Sequence, residues 1–189
     1  AERERQRELY NTLKRVYQKE KQMNEKLQNE QLGSALKFGD VIQLMHIQSG
    51  QFLSCAEHGV SLSEPENFRV LLSNPASMLS WFTLQPAKAF ASLDDPIYSL
   101  SEVHLGVTVR EGEFLHISRV WFNEPNLLKR EADKRTQPGR IKHEVNTSLD
   151  KTAWKLCLFA SFNQQADQVF AADVVCIREP ETKSCMLID

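Results

Sequence analysis

Phe38-Gly39-Asp40-Val41-Ile42-Gln43-Leu44, followed by Ser49-Gly50-Gln51-Phe52-Leu53-Ser54, is answered further on by Ser101-Glu102-Val103-His104-Leu105 and Glu111-Gly112-Glu113-Phe114-Leu115-His116. In both copies an acidic residue leads an aromatic by twelve positions, Asp40 to Phe52 and Glu102 to Phe114. Gly50 and Gly112 stand two before the aromatic, where a hairpin turn wants a residue tolerant of positive φ. A weaker third copy opens at Asp173-Val174-Val175-Cys176 and reaches Cys185 at the same offset, with Lys183 in the glycine position. The first two copies close alike, in Ser80-Trp81-Phe82-Thr83-Leu84 and Ala153-Trp154-Lys155-Leu156-Cys157. Trp81 and Trp154 therefore read as equivalent core anchors. Such units cannot bury an apolar face alone, and two of them leave sheet edges open. The expectation is two four-strand units and the start of a third, in a longer polypeptide with strands missing before residue 1, after 189, or both.

The texture around the repeats agrees. Val103, Leu105, Val107 and Val109 alternate with His104, Gly106 and Thr108, the period of half-buried strands. Ahead of them, residues 1–31 lack Gly and Pro and are rich in Glu, Lys, Arg and Gln, which favour helix. Leu9, Leu13, Val16, Met23 and Leu27, flanked by Tyr10 and Tyr17, recur at gaps of three, four and seven and form one apolar stripe. Glu20 interrupts it, so a break near Gln22–Asn24 is one outcome; an arm packed on its own protein is expected, ending at Gly33-Ser34. This segment carries +2 of a chain total of −2. Residues 123–150 read as an inserted surface loop, and Trp121-Phe122 before it stays open.

The 189 residues are 41% apolar and 25% charged, the composition of a globular protein. No apolar run spans a bilayer, and no net positive charge asks for nucleic acid. Cys55, Cys157, Cys176 and Cys185 form no metal-type spacing and read as reduced thiols, with Cys176 and Cys185 facing each other across a hairpin as a disulfide alternative. Phosphate-loop, dinucleotide, zinc-protease and serine-hydrolase motifs are missing. His46, His58, His104, His116 and His143 are dispersed, though His104 and His116 share a hairpin. Asn146-Thr147-Ser148 is a glycosylation acceptor pattern. No catalytic residue, metal ligand or cofactor is expected.

The acidic residue, aliphatic alternation, glycine, aromatic and late Trp together resemble the MIR domain, a β-trefoil of three four-strand units. Leu9 to Asp40, Val41-Ile42-Gln43-Leu44-Met45-His46, Ser80-Trp81-Phe82-Thr83-Leu84-Gln85-Pro86 and Ala153-Trp154-Lys155-Leu156-Cys157-Leu158-Phe159 resemble inositol trisphosphate receptors, and Phe52-Leu53-Ser54-Cys55 is similar to ryanodine receptors. The resemblance implies an all-β, MIR-like trefoil with an N-terminal helical arm: arm 1–34, two four-strand units 35–165, and 166–189 opening a following trefoil. It places the arm between the first and second units of the first trefoil.

It further implies a non-enzymatic, ligand-affinity-modulating cytosolic region of a tetrameric calcium-release channel on the endoplasmic reticulum, with membrane spans elsewhere. The partners implied are the other subunits, and an inositol phosphate bound outside this segment, so no ligand-binding residue transfers. The loop after Gln85-Pro86 corresponds to the family's inter-subunit loop. There the family's usual aromatic is displaced, and Lys88 and Phe90 are the candidate contact residues. A non-channel interaction module and an accessory domain of a lumenal mannosyltransferase are the alternatives.

Overall fold

A computed structural model describes residues 2–119, 143–159 and 167–187. Glu2–Gln31 forms a single helix, α1, about 45 Å long. The break weighed near Gln22–Asn24 is absent, because Asn24 is buried and donates its Nδ2 hydrogen to Ala76 O at 3.2 Å. Gln28 Nε2 donates to Gln43 Oε1 at 2.7 Å, and Met78 N donates to Glu20 Oε1 at 3.1 Å. Positions 20, 24 and 28 share one helix face, so the residue that interrupts the apolar stripe is one that attaches the arm. Leu9, Tyr10, Leu13, Val16 and Tyr17 stay exposed. The C-terminal part of the arm, from Glu20 on, is bonded to the body. Gly33 turns the chain at φ +72° and donates its N–H to Ala171 O at 3.1 Å.

The body is all β. Its strands are β1 (Val41–Gln43), β2 (Met45–His46), β3 (Gln51–Val60), β4 (Phe68–Ser73), β5 (Trp81–Pro86), β6 (Glu102–Val107), β7 (Phe114–Ile117), β8 (Val145–Ser148), β9 (Trp154–Leu158) and β10 (Val175–Arg178). They pair antiparallel in the order β1-β5-β6-β7-β8-β4-β3-β2, with β9 joining β6 to β10. Leu44 alone separates β1 from β2, so the path nearly returns to its start and leaves few open edges. Inside lie Phe82, Leu84, Val103, Leu105 and Leu115, all at 0% exposure, with Trp154 and Leu156 at 1%.

Three short segments meet at one end of this core in a closed ring of main-chain bonds. Leu36 N donates to Val169 O at 2.8 Å, Val169 N to Ile97 O at 2.9 Å, and Ile97 N to Leu36 O at 2.9 Å. Each segment then makes the same turn. Lys37 N bonds Asp40 Oδ2 at 2.8 Å, Tyr98 N bonds Ser101 Oγ at 3.1 Å, and Phe170 N bonds Asp173 Oδ2 at 2.8 Å. The residue before each acceptor is left-handed: Gly39 at +100°, Leu100 at +70° and Ala172 at +78°. The hairpin turns repeat as well, with Gly50 at +66°, Gly112 at +83° and Lys183 at +57°. Lys183 thus takes the backbone state of the glycines it replaces. The segment expected to open a following trefoil is, in this chain, the third member of the ring.

Register corrects two sequence readings. Gly39 N bonds Leu84 O at 2.7 Å and Leu100 N bonds Leu156 O at 2.8 Å, so Leu84 matches Leu156. Trp154 then matches Phe82, not Trp81. Ile42 faces Phe82 as Val103 faces Trp154. A slip of one residue exchanges the faces of a strand: Trp81 is half-buried, whereas Trp154 is enclosed and donates Nε1–H to Leu115 O at 2.9 Å. Likewise Ser101, not Glu102, matches Asp40. The inserted loop expected over 123–150 ends earlier, because β8 occupies Val145–Ser148 between β7 and β4. Trp121, Phe122 and 123–142 lie outside the described residues.

Candidate functional site

The loop between β5 and β6 begins where Pro86 ends a strand. Its neck is closed by Ala87 N bonding Glu102 O at 3.3 Å. Ala91 packs against the core, and Ala91 N bonds Lys88 O at 3.1 Å. Ser92 N bonds Asp95 Oδ2 at 2.7 Å, which tightens the return. Asp94 N bonds Phe38 O at 2.8 Å and Phe38 N bonds Asp95 O at 3.0 Å, fixing the loop's base beside the ring. Between these anchors Phe90 stands 84% exposed and Leu93 65% exposed.

Lys88 Nζ lies 3.6 Å from Glu102 Oε1 and 5.9 Å from the Phe90 ring centre. Lys155 Nζ reaches the same Glu102 oxygen at 3.3 Å. One carboxylate therefore holds two ammonium groups, and one of them, Lys88, lies beside an exposed aromatic. Partly exposed ion pairs add little stability, so their effect here is to limit where Lys88 can point. The sequence singled out Lys88 and Phe90, and the structure places them together at the tip. It missed Leu93, and it missed Glu102 and Lys155, because Glu102 was read as the acidic residue that leads the hairpin repeat. The loop exposes an apolar and cationic surface, and no paired nucleophile and base is seen among its described residues.

Other polar groups are committed to structure. Glu144 Oε2 accepts from Ser61 Oγ at 2.8 Å, Ser63 N at 2.7 Å and Ser63 Oγ at 2.6 Å, while Oε1 accepts from Leu62 N at 3.0 Å. Burial pushes this carboxyl upward, but the donors outweigh it and hold it below the usual carboxylate range. Asn146 is 0% exposed and donates Nδ2 hydrogens to Glu64 Oε2 at 2.7 Å and Ser61 Oγ at 3.2 Å. His104 Nδ1 lies 2.9 Å from Thr152 O, and His116 Nδ1 lies 3.0 Å from Thr152 Oγ1. Burial pushes His116 below the ordinary histidine value, against the pull of Glu64 and Asp150. Among the described residues no group of three His, Cys, Asp or Glu could hold a metal, and no helix is long and apolar enough to cross a membrane.

Residues 1–165 match the family model described as inositol 1,4,5-trisphosphate/ryanodine receptor. This chain belongs to that receptor family. Within it, an inositol 1,4,5-trisphosphate receptor, itr-1, of Caenorhabditis elegans is 24% identical over 185 residues. That match takes in 96% of this chain and 6% of the worm receptor, so the chain corresponds to a small region of such a receptor. Solved structures share the fold at lower identity. The SDF2-like protein from Arabidopsis thaliana has a TM-score of 0.60 at 16% identity, over 80% of this chain and 76% of its own. A Caenorhabditis elegans protein of unknown function has a TM-score of 0.59 at 16% identity, over 80% and 78%. The receptor match includes α1, β1–β9 and the loop bearing Phe90.

Proposed function

We propose that this chain is a cytosolic regulatory region of a ligand-gated calcium-release channel of the inositol trisphosphate receptor type, at the endoplasmic reticulum membrane. It acts without chemistry of its own. A rigid β body holds the loop after β5 against a neighbouring subunit of a homotetramer, and that contact biases ligand affinity and opening. The ligand, an inositol phosphate, binds outside this segment. The supporting observation is Phe90, an exposed aromatic on a loop tied down at its neck and base. The experiment replaces Phe90→Ala and Lys88→Ala in the intact receptor and measures ligand affinity and channel opening. Coupling between sites is typically ~1–3 kcal/mol, so a shift of about fivefold or more is expected. Unchanged values for both variants remove the loop from the mechanism.

The division of the chain near residue 166 belongs to the same reading. The family match stops at 165, which supports a following unit from 166 onward. In the intact protein the third place in the ring would then be held by another unit of the same pattern. A non-channel interaction module is favoured only by the exposed apolar stripe of α1. The mannosyltransferase alternative is weakened by Asn146, whose amide is enclosed and hydrogen-bonded in the folded chain.

A further inference from the structure

Three cysteines gather on one sheet face, at the end of the body carrying β10. Cys176 on β10 stands directly across from Cys157 on β9. After β10 the chain turns back, with Glu179 N bonding Ser184 O at 2.9 Å and Met186 N bonding Ile177 O at 2.9 Å. This return pairs Cys185 with Arg178. Side chains alternate along a strand, so Cys176, Arg178 and Cys185 project from the same side. The Cys176 thiol donates to Cys185 Sγ at 3.2 Å, with no disulfide between them. Closing to a disulfide needs the sulfurs to approach by about 1 Å. Cys185 is exposed, Cys176 is half-buried and Cys157 is buried.

From this juxtaposition we infer that Cys176 and Cys185 form a redox-active dithiol site, whose reagent is a small glutathione-type disulfide and whose product is a Cys176–Cys185 bond. Cys185 attacks first. It is the accessible sulfur, and hydrogen bonds from Cys176 and Arg178 pull its pKa below the ordinary thiol value, favouring thiolate. Burial, with the neighbouring Cys185, pushes Cys176 up to about 11, so it waits as the thiol. In the first step the Cys185 thiolate bonds one sulfur of the disulfide and expels the other half as a thiolate. In the second, Cys176 loses its proton to solvent and attacks Cys185 Sγ, and the second half leaves as thiolate and takes up a proton. Two protein thiols are oxidised and one small disulfide is reduced to two thiols. The bond ties β10 to the returning segment 184–187. It does not depend on the channel reading.

The test treats the intact protein with oxidised glutathione, quenches with acid and alkylating agent, and digests with trypsin. Cleavage after Lys155, Arg178 and Lys183 leaves Cys157 and Cys176 in one peptide and Cys185 in another. The expected result is a reducible link between these peptides in wild type and in Cys157→Ser. In Cys176→Ser the link is lost and glutathione stays on Cys185. Loss of the link in Cys157→Ser would overturn the assignment, as would a lasting glutathione adduct on Cys185 in wild type. Failure of Cys185 to react faster than in urea-unfolded protein would overturn it too.

Discussion

Glu144 shows how one side chain can hold two distant parts of the chain. It gathers four donors from residues 61–63, more than eighty positions earlier. Glu144→Gln offers one accepting oxygen instead of two and puts an amide donor against N–H groups. The expected loss is about 1.5–3 kcal/mol, read as a lower urea midpoint at pH 7. The pH dependence has a definite sign. The folded carboxyl titrates below its ordinary 4.5, so its stabilisation is complete above pH 4.5 and disappears as pH falls through the folded value. The gap between wild type and Glu144→Gln therefore narrows below pH 4.5. A gap independent of pH would mean that the ionised form is not what matters. None of this was legible beforehand: Glu144 fell in a stretch read as surface loop, and its serine partners lie in a different unit.

At the scale of the element, α1 is helical by composition and placed by three polar contacts. Its N-terminal half is exposed, while Glu20, Asn24 and Gln28 fasten the other half. The double change Asn24→Ala with Gln28→Ala removes two hydrogen bonds, each contributing roughly 1 kcal/mol. Amide exchange over 20–31 is expected to speed up towards that of 2–17, while β5 and β6 keep their protection. Equal protection before and after would show that the arm is held some other way. The apolar stripe was readable from spacing, but which stretch of it meets the body was not. The tryptophans teach the same about strands. Alternation identified β5 and β9, yet the register between them came from Leu84 and Leu156, whose carbonyls accept the turn N–H groups.

The whole molecule rests on the ring joining Leu36, Ile97 and Val169. Ala35 and Phe170 face each other there, flanked by the bonds of Ala171 N to Ser34 O and Leu36 N to Val169 O. That is a non-hydrogen-bonded pair, where Cα atoms come within about 4.5 Å and a disulfide fits. With Cys176 and Cys185 changed to Ser, the pair Ala35→Cys and Phe170→Cys is expected to cross-link readily in this chain. It would close a loop of roughly 130 residues, for at most about 5 kcal/mol of added stability. In the intact receptor the proposed boundary near 166 predicts little cross-linking, because another unit holds the third place. Efficient cross-linking there would keep 167–187 in the ring and refute the boundary.

From the residues alone came the repeat, the all-β body, the helical arm and its stop at Gly33, and the receptor family. These are legible because hairpin glycines, period-two alternation and helix-forming runs act over a few neighbours, and their signals recur at fixed spacing. Tertiary structure decided the rest: which tryptophan is enclosed, that Glu102 orients Lys88 and Lys155, and that Glu144 closes residues 61–63. Each of these depends on strands far apart in sequence meeting in one register, and local chemistry alone cannot choose that register.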